Sequence, residues 1–290
     1  MQFIVSTAWC PPGELLELAQ TAEDCGWDGM ALSDHVVHPE RIATPYPYTP
    51  DGSPRWIPST PWLDPFVSIA AMAAVTTRLR FLTAVYVLPM RNPFNVAKAV
   101  ATAALLSGQR VALGVGAGWM EEEFRLLEQP FAARGARMHE MIEVLRKLWT
   151  GEMVEHHGRF YDFARLQMSP GVGERIPILS GGVSEAALRR VGRLSDGWIS
   201  EIHTTEQLRE IVGRLRRLRA EYGREREPLA VFGTCIDARD VDGFRRLEEI
   251  GVTGILAMPW ATGDSHCSPP LSEKRQSLRR FADDVIAKLR

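Results

Sequence analysis

The residues best placed to do chemistry fall in three short stretches. His35 follows Ser33 and Asp34 directly after the aliphatic run 29–32. An imidazole there can donate a hydrogen bond or exchange a proton near neutral pH, although a lone histidine is more often structural. The second stretch is Ala112-Leu113-Gly114-Val115-Gly116-Ala117-Gly118-Trp119, followed by Met120 and by Glu121, Glu122 and Glu123. Its glycines let the backbone turn sharply or let a flat ligand come within contact distance. They are not a dinucleotide fingerprint. The spacing is G-x-G-x-G rather than G-x-G-x-x-G, and it follows the fourth strand-like run rather than the first. Three glutamates at the start of the next helix would also repel a pyrophosphate. The third stretch, Ile178-Leu179-Ser180-Gly181-Gly182-Val183-Ser184, sets a strand end, two glycines and a capping serine before a helix. Two readings stay open there, a phosphate cradle built from free amides and a plain N-cap with a tight turn. No G-x-S-x-G elbow, P-loop or H-E-x-x-H spacing is present, so hydrolytic and metal chemistry lack a carrier.

These stretches must be positioned by an alternation of strand-like and helix-like segments. Strands are expected at 3–7, 29–32, 80–88, 111–115, 177–179, 198–200, 229–235 and 254–258. Helices are expected at 13–25, 64–76, 95–106, 134–150, 184–194, 206–222, 241–250 and 272–289. Eight βα units without a composition break favour a single (β/α)₈ barrel over residues 1–290, a fold that needs about 250 residues. An open doubly wound sheet, with fewer strands, is the alternative. Two connections are long. Residues 33–63 are rich in proline and aromatics and follow the second strand, which places them over the catalytic face as a lid or as a packed structural loop. Residues 151–176 contain a hairpin with its turn near Gly158, where His156 and His157 are expected to be exposed.

Composition narrows the class. The net charge is -2 and no basic block stands apart, which argues against nucleic acid as a partner. The arginines between 214 and 219 read as a solvated helix face. Cys10, Cys25, Cys235 and Cys267 are scattered and are expected as free thiols in a reducing compartment. No apolar stretch nears the about 20 residues that span a bilayer, and no leader precedes the first strand, so a cytoplasmic location is expected.

Together these segments resemble the bacterial luciferase-like family of flavin and deazaflavin oxidoreductases over nearly the whole chain. The matching pieces are Ser33-Asp34-His35-Val36, the run from Thr83 to Pro93, the run from Leu106 to Trp119, Arg134-Gly135-Ala136-Arg137, Leu148-Trp149, Ser180-Gly181-Gly182 and Asp196-Gly197-Trp198. The resemblance implies a (β/α)₈ barrel, often dimeric, holding FMN or coenzyme F420 at the C-terminal ends of its strands. It implies that Ala84 and Val85 form the bulge behind the ring, commonly with a non-prolyl cis peptide. It places Gly116, Ala117, Gly118 and Trp119 beside the ring, Ser180, Gly181 and Gly182 at the phosphate, and His35 near the reacting centre. Trp9, Met258 and Trp260, near strand ends, would shape an apolar substrate pocket.

The Gly-Trp loop and Arg134-Gly135 point to the deazaflavin-using branch. Two residues depart from it. Trp119 stands where the sugar-phosphate dehydrogenases of that branch carry a glutamate, so glucose-6-phosphate is not the expected substrate. Leu105 stands where many relatives carry aspartate. The leading expectation is hydride transfer between coenzyme F420 and a small organic substrate by a homodimer. An FMN-dependent monooxygenase and a non-catalytic flavin-binding protein are the alternatives.

Overall fold

Short aliphatic strands, buried on both faces, and amphipathic helices alternate along the chain. A computed structural model describes residues 1–173, 175–261 and 268–290. The strands are β1 (Gln2–Ser6), β2 (Gly29–Leu32), β3 (Arg80–Thr83), β4 (Tyr86–Val87), β5 (Val111–Gly116), β6 (Met153–His157), β7 (Asp162–Gln167), β8 (Ile178–Gly181), β9 (Gly197–His203), β10 (Ala230–Cys235) and β11 (Gly254–Ala257). The helices are α1 (Leu15–Asp24), α2 (Pro65–Ala74), α3 (Pro93–Leu106), α4 (Glu121–Leu126), α5 (Arg134–Leu148), α6 (Glu185–Leu194), α7 (Thr205–Glu221), α8 (Val241–Ile250) and α9 (Leu271–Phe281). No helix among the described residues is long and apolar enough to cross a membrane.

Eight strands pair in parallel in the closed order β1-β2-β3-β5-β8-β9-β10-β11, with β11 returning to β1. The expected (β/α)₈ barrel is therefore the observed fold. Alternate residues of each strand face inward. Ile4, Ala31, Leu82, Leu179, Ile199, Phe232 and Leu256 fill the interior as one cluster. Their neighbours Val5, Met30, Phe81, Leu113 and Ile178 face outward into the main core beneath the helices.

The differences from expectation have local causes. The strand expected at 80–88 is interrupted by a cis peptide at Ala84–Val85, and its second half, β4, pairs with the end of β5 through Tyr86↔Val115 and Val87↔Gly116. The short helix α4 lies between β5 and α5, where the three glutamates supply its first turn. The hairpin β6–β7 forms as expected, but His156 is buried while His157 is exposed. The reason is Glu140 of α5, which accepts hydrogen bonds from the amides of Arg159, Phe160 and Tyr161 and lies 3.2 Å from His156 Nε2. The arginine run is also not wholly solvated. Arg219 is buried and donates to the carbonyls of Ser195, Glu227 and Pro228. Cys10, Cys25 and Cys235 are free thiols, and Cys267 lies outside the described residues.

Candidate active site

The C-terminal ends of β2, β3, β5 and β8 converge on Val85. Ala84 N–H donates to the Leu32 carbonyl at 2.7 Å, and Ser33 Oγ donates to the Ala84 carbonyl at 3.1 Å. The Val85 side chain lies between two glycines. A Cβ on Gly116 would fall 2.5 Å from Val85 Cγ2, and one on Gly181 would fall 3.2 Å from Cγ1. These glycines are thus required by the valine they admit, whatever else lies against them. Gly114 is tighter still, since its Cβ would come 1.9 Å from the Thr83 carbonyl oxygen.

Behind Val85 stands a buried ion pair. Both oxygens of Asp34 meet the Arg91 guanidinium, Oδ2 to Nη1 and Oδ1 to Nη2, each at 2.6 Å. Asp34 Oδ2 also accepts the Val87 amide at 2.9 Å. Burial pushes the Asp34 carboxyl up, and the two-pronged guanidinium opposes that shift. Arg91 covers the Tyr86 ring at 4.3 Å. The pair ties the end of β2 to β4 on the far side of the bulge.

His35 is the next residue, and its partner comes from α4. Its Nδ1 lies 2.8 Å from Glu123 Oε2, while Glu123 Oε1 accepts the amides of Val36 at 2.7 Å and Val37 at 3.3 Å. Burial works against ionisation of Glu123, but the hydrogen bonds from His35 and these amides outweigh it and hold the carboxyl below its usual range. Glu122 does the same for the next part of the loop, accepting the amides of Ala43 and Thr44 at 2.7 and 3.1 Å. The glutamates read in the sequence as a barrier to pyrophosphate are therefore also the anchors of the loop 33–63.

That loop is packed down as a cap. Tyr46, Trp56 and Met120 form a buried cluster, with Trp9, Ile42, Trp62 and Trp119 against it. Around His35, the Trp56, Trp62 and Trp119 rings stand at 4.7, 4.9 and 6.2 Å between centroids. The His35 side chain is 10% exposed. Trp9, at φ +64°, and Trp62 each bury an indole N–H that has no acceptor among the described residues. Of the two readings of this loop, the packed one describes the structure.

The turn after β8 ends in the capping serine expected there. Ser180 is fully buried, and its hydroxyl lies 2.7 Å from that of Ser195. It stands behind the turn. Gly182, at φ +105°, accepts the Trp198 indole N–H at 2.9 Å. Ser184 caps α6 by accepting the Ala187 amide at 3.3 Å. Glu185, in the first turn, is neutralised by Arg189 at 2.9 Å and Arg214 at 2.5 Å. The remaining first-turn amides and the positive end of α6 suit an anion.

The structure thus brings His35, Trp9 and Trp119 together around the aromatic cap, and Ala84, Val85, Gly116 and Gly181 at the floor. Gly118, at φ +85°, packs against Val87 and Phe124, and its carbonyl accepts Arg134 Nε at 3.0 Å. Ala117 is half-buried against the main core. Met258 and Trp260 also pack with that core rather than with Trp9 and Trp119. Sequence reasoning missed Asp34, Arg91, Glu122, Glu123, Trp56 and Trp62. Their signal was adjacency, since Asp34 precedes His35 and the glutamates follow Trp119-Met120. No group of three or more metal-ligating side chains occurs among the described residues.

The profile of the family described as luciferase-like monooxygenase matches residues 1–242. An uncharacterised protein of Mycobacterium tuberculosis is 41% identical over 277 residues, covering 94% of this chain and 95% of that one. An F420-dependent glucose-6-phosphate dehydrogenase of Segniliparus rotundus is 34% identical over 192 residues, covering 65% of this chain and 52% of the dehydrogenase. Among solved structures, an F420-dependent secondary alcohol dehydrogenase with an F420–acetone adduct superposes with a TM-score of 0.78 at 17% identity, over 100% of this chain and 99% of that one. Profile, relatives and barrel agree: the chain belongs to the luciferase-like monooxygenase family.

Proposed function

We propose that the protein is a hydride-transfer oxidoreductase that works with coenzyme F420 on a small, largely apolar organic substrate. The observation that carries this reading is His35, held by Glu123 beneath a cap of tryptophans, two residues after the Ser33 that donates to the Ala84 carbonyl. The similarity to a dehydrogenase named as F420-dependent supports the choice of cofactor. The family resemblance sets a flat ring over Val85, whose side chain lies against Gly116 and Gly181. An anionic tail suits the Gly181–Gly182 turn and the first amides of α6, where Glu185 is already neutralised. Once bound, the cofactor supplies a ring carbon that takes or gives a hydride.

The chain's own residues do the rest. Val85 and the Gly116 and Gly181 backbone support the ring. Trp119 forms its side wall, and Trp9, Trp56 and Trp62 exclude water and favour apolar substrate groups. His35 exchanges a proton with the reacting heteroatom through Nε2. Trp119 in place of a carboxylate leaves that wall without an acid. The family resemblance carries the further expectation of a homodimer.

The second reading, an FMN-dependent monooxygenase, is favoured by the family's description. Titration of the purified protein with F420 and with FMN separates the two. Micromolar binding of F420 is expected, weakened when Trp119 is replaced by alanine. Micromolar binding of FMN but not of F420 would overturn the proposal, and normal F420 binding by Trp119→Ala would remove that residue from the ring wall.

A further inference from the structure

The sequence offers no reason to connect His35 with Glu123, which lies 88 positions away. The fold brings them to 2.8 Å, with Glu123 1% exposed. We propose that Glu123 is the positioning residue that fixes the tautomer of His35, so that the neutral ring always offers its lone pair at Nε2. This rests on the reading of His35 as the proton-exchanging group.

The argument is one of hydrogen-bond valence. A carboxylate is an acceptor only, and an imidazole carries one N–H when neutral. Glu123 Oε1 is committed to the amides of Val36 and Val37, which leaves Oε2 to face His35 Nδ1. The proton must therefore sit on Nδ1, and Nε2 is left as the acceptor. Other charges near the ring do not compete for it. Asp34 is closed by Arg91 and the Val87 amide, and Glu122 Oε1 is committed to the amides of Ala43 and Thr44. The rings contributed by the cap and by the turn after β5, Trp56, Trp62 and Trp119, carry no titrating group.

This arrangement sets the chemistry of the substrate. Nε2 would take the O–H proton of a substrate hydroxyl as a C=O bond forms, and a bound, oxidised deazaflavin would be the acceptor for the carbinol hydride. The imidazolium that results keeps its Nδ1–H on Glu123. In the opposite direction the Nε2 proton would go to the carbonyl oxygen, with the hydride for carbon being what a bound, reduced deazaflavin would supply.

Glu123→Gln tests the assignment, because its carbonyl must take the place of Oε1 to satisfy Val36 and Val37. Its NH₂ then faces Nδ1 and donates, so the ring proton moves to Nε2. The measurement is a long-range proton–nitrogen correlation spectrum of the ¹⁵N-histidine-labelled chain without cofactor, taken at rising pH to where the ring signals are those of a neutral imidazole. His35→Gln identifies the His35 signals. In the wild type Nδ1 is expected protonated and Nε2 bare. Glu123→Gln reverses them and Glu123→Asp, which keeps an acceptor, does not. An Nε2–H tautomer in the wild type overturns the proposal without any variant, and so does a proton that stays on Nδ1 in a folded Glu123→Gln. Turnover should fall in Glu123→Gln by up to about 10⁴-fold, the loss a wrong imidazole tautomer causes in a protease triad, with KM little changed. A reversed tautomer with unchanged F420-coupled turnover would confirm the role of Glu123 in setting the tautomer and refute the proton role of His35.

Discussion

Replacing Asp34 by asparagine should destabilise the barrel more than any other one-atom change at the site. The carboxylate is 2% exposed and makes three hydrogen bonds, two to Arg91 and one to the Val87 amide. Breaking a buried ion pair from one side costs about 3–5 kcal/mol, because the remaining charge is left without its partner. Asparagine can still accept the Val87 amide, but its NH₂ then opposes a guanidinium nitrogen. With an unfolding entropy of about 2.1 cal/mol/K per residue, the 290 residues give about 0.6 kcal/mol/K. The expected fall in Tm is therefore about 5–8 °C by calorimetry at matched scan rates. The double variant Asp34→Leu with Arg91→Met removes both charges and leaves the Val87 amide without its acceptor and the Val87 carbonyl without its 3.3 Å donor Arg91 Nη1, at a cost of about 1–3 kcal/mol. It should melt above Asp34→Asn. If Asp34→Asn melts within about 1 °C of the wild type, or the double variant melts below it, the ion pair is not what holds β4 to β2.

Two further outcomes follow from the same geometry. Gly116→Ala brings a methyl within 2.5 Å of Val85 Cγ2 and should lose about 1–3 kcal/mol through overpacking; Val85→Ala should restore most of it in denaturant melts, whereas Gly114→Ala, blocked by the Thr83 backbone, should show no such rescue. Acid stability should depend on Glu23, where burial works against ionisation but the amides of Arg78, Thr77 and Leu79 bring its carboxyl from 4.5 down to about 2. A depressed carboxyl stabilises the fold above its unfolded value, and that contribution is lost as pH falls towards 2. Linkage gives about 3 kcal/mol, which solvent screening reduces to about 1–2. Urea midpoints of Glu23→Gln should be lower at neutral pH and converge with the wild type near pH 2; parallel curves would show that Glu23 contributes nothing.

The barrel was legible because its strands are short aliphatic runs buried on both faces, separated by helices of ordinary length. The break at Ala84–Val85 was legible only through resemblance, since nothing in the run from Arg80 to Leu88 departs from strand composition. At the candidate site, the positions of His35 and Trp119 were legible from the strand ends they follow, and the roles proposed for them come from the resemblance. Residues that act through partners could not be found that way. Glu123 reads as an ordinary first-turn glutamate, favoured there by the helix dipole, until the fold brings residues 35–37 against it. For Ser180 the resemblance sets a phosphate nearby, while in the fold its hydroxyl is buried against Ser195.

One contiguous stretch, from Gly114 to Glu123, explains why the glycine-rich turn and the glutamates occur together. Gly114 and Gly116 make room for β3 and Val85, and Gly118 lets the chain turn against Val87 and Phe124. Trp119 then packs on Tyr46 and beside His35, Glu122 anchors residues 43–44, and Glu123 anchors residues 35–37. Floor, wall and imidazole are thus held by ten consecutive residues, with the rigid strand β5 at one end and α4 at the other. A shift of the turn that moves Trp119 must also move Glu123, four positions on, and with it the hydrogen bond that sets the ring of His35. The geometry of the wall and the orientation of the imidazole are for that reason a single property of this segment.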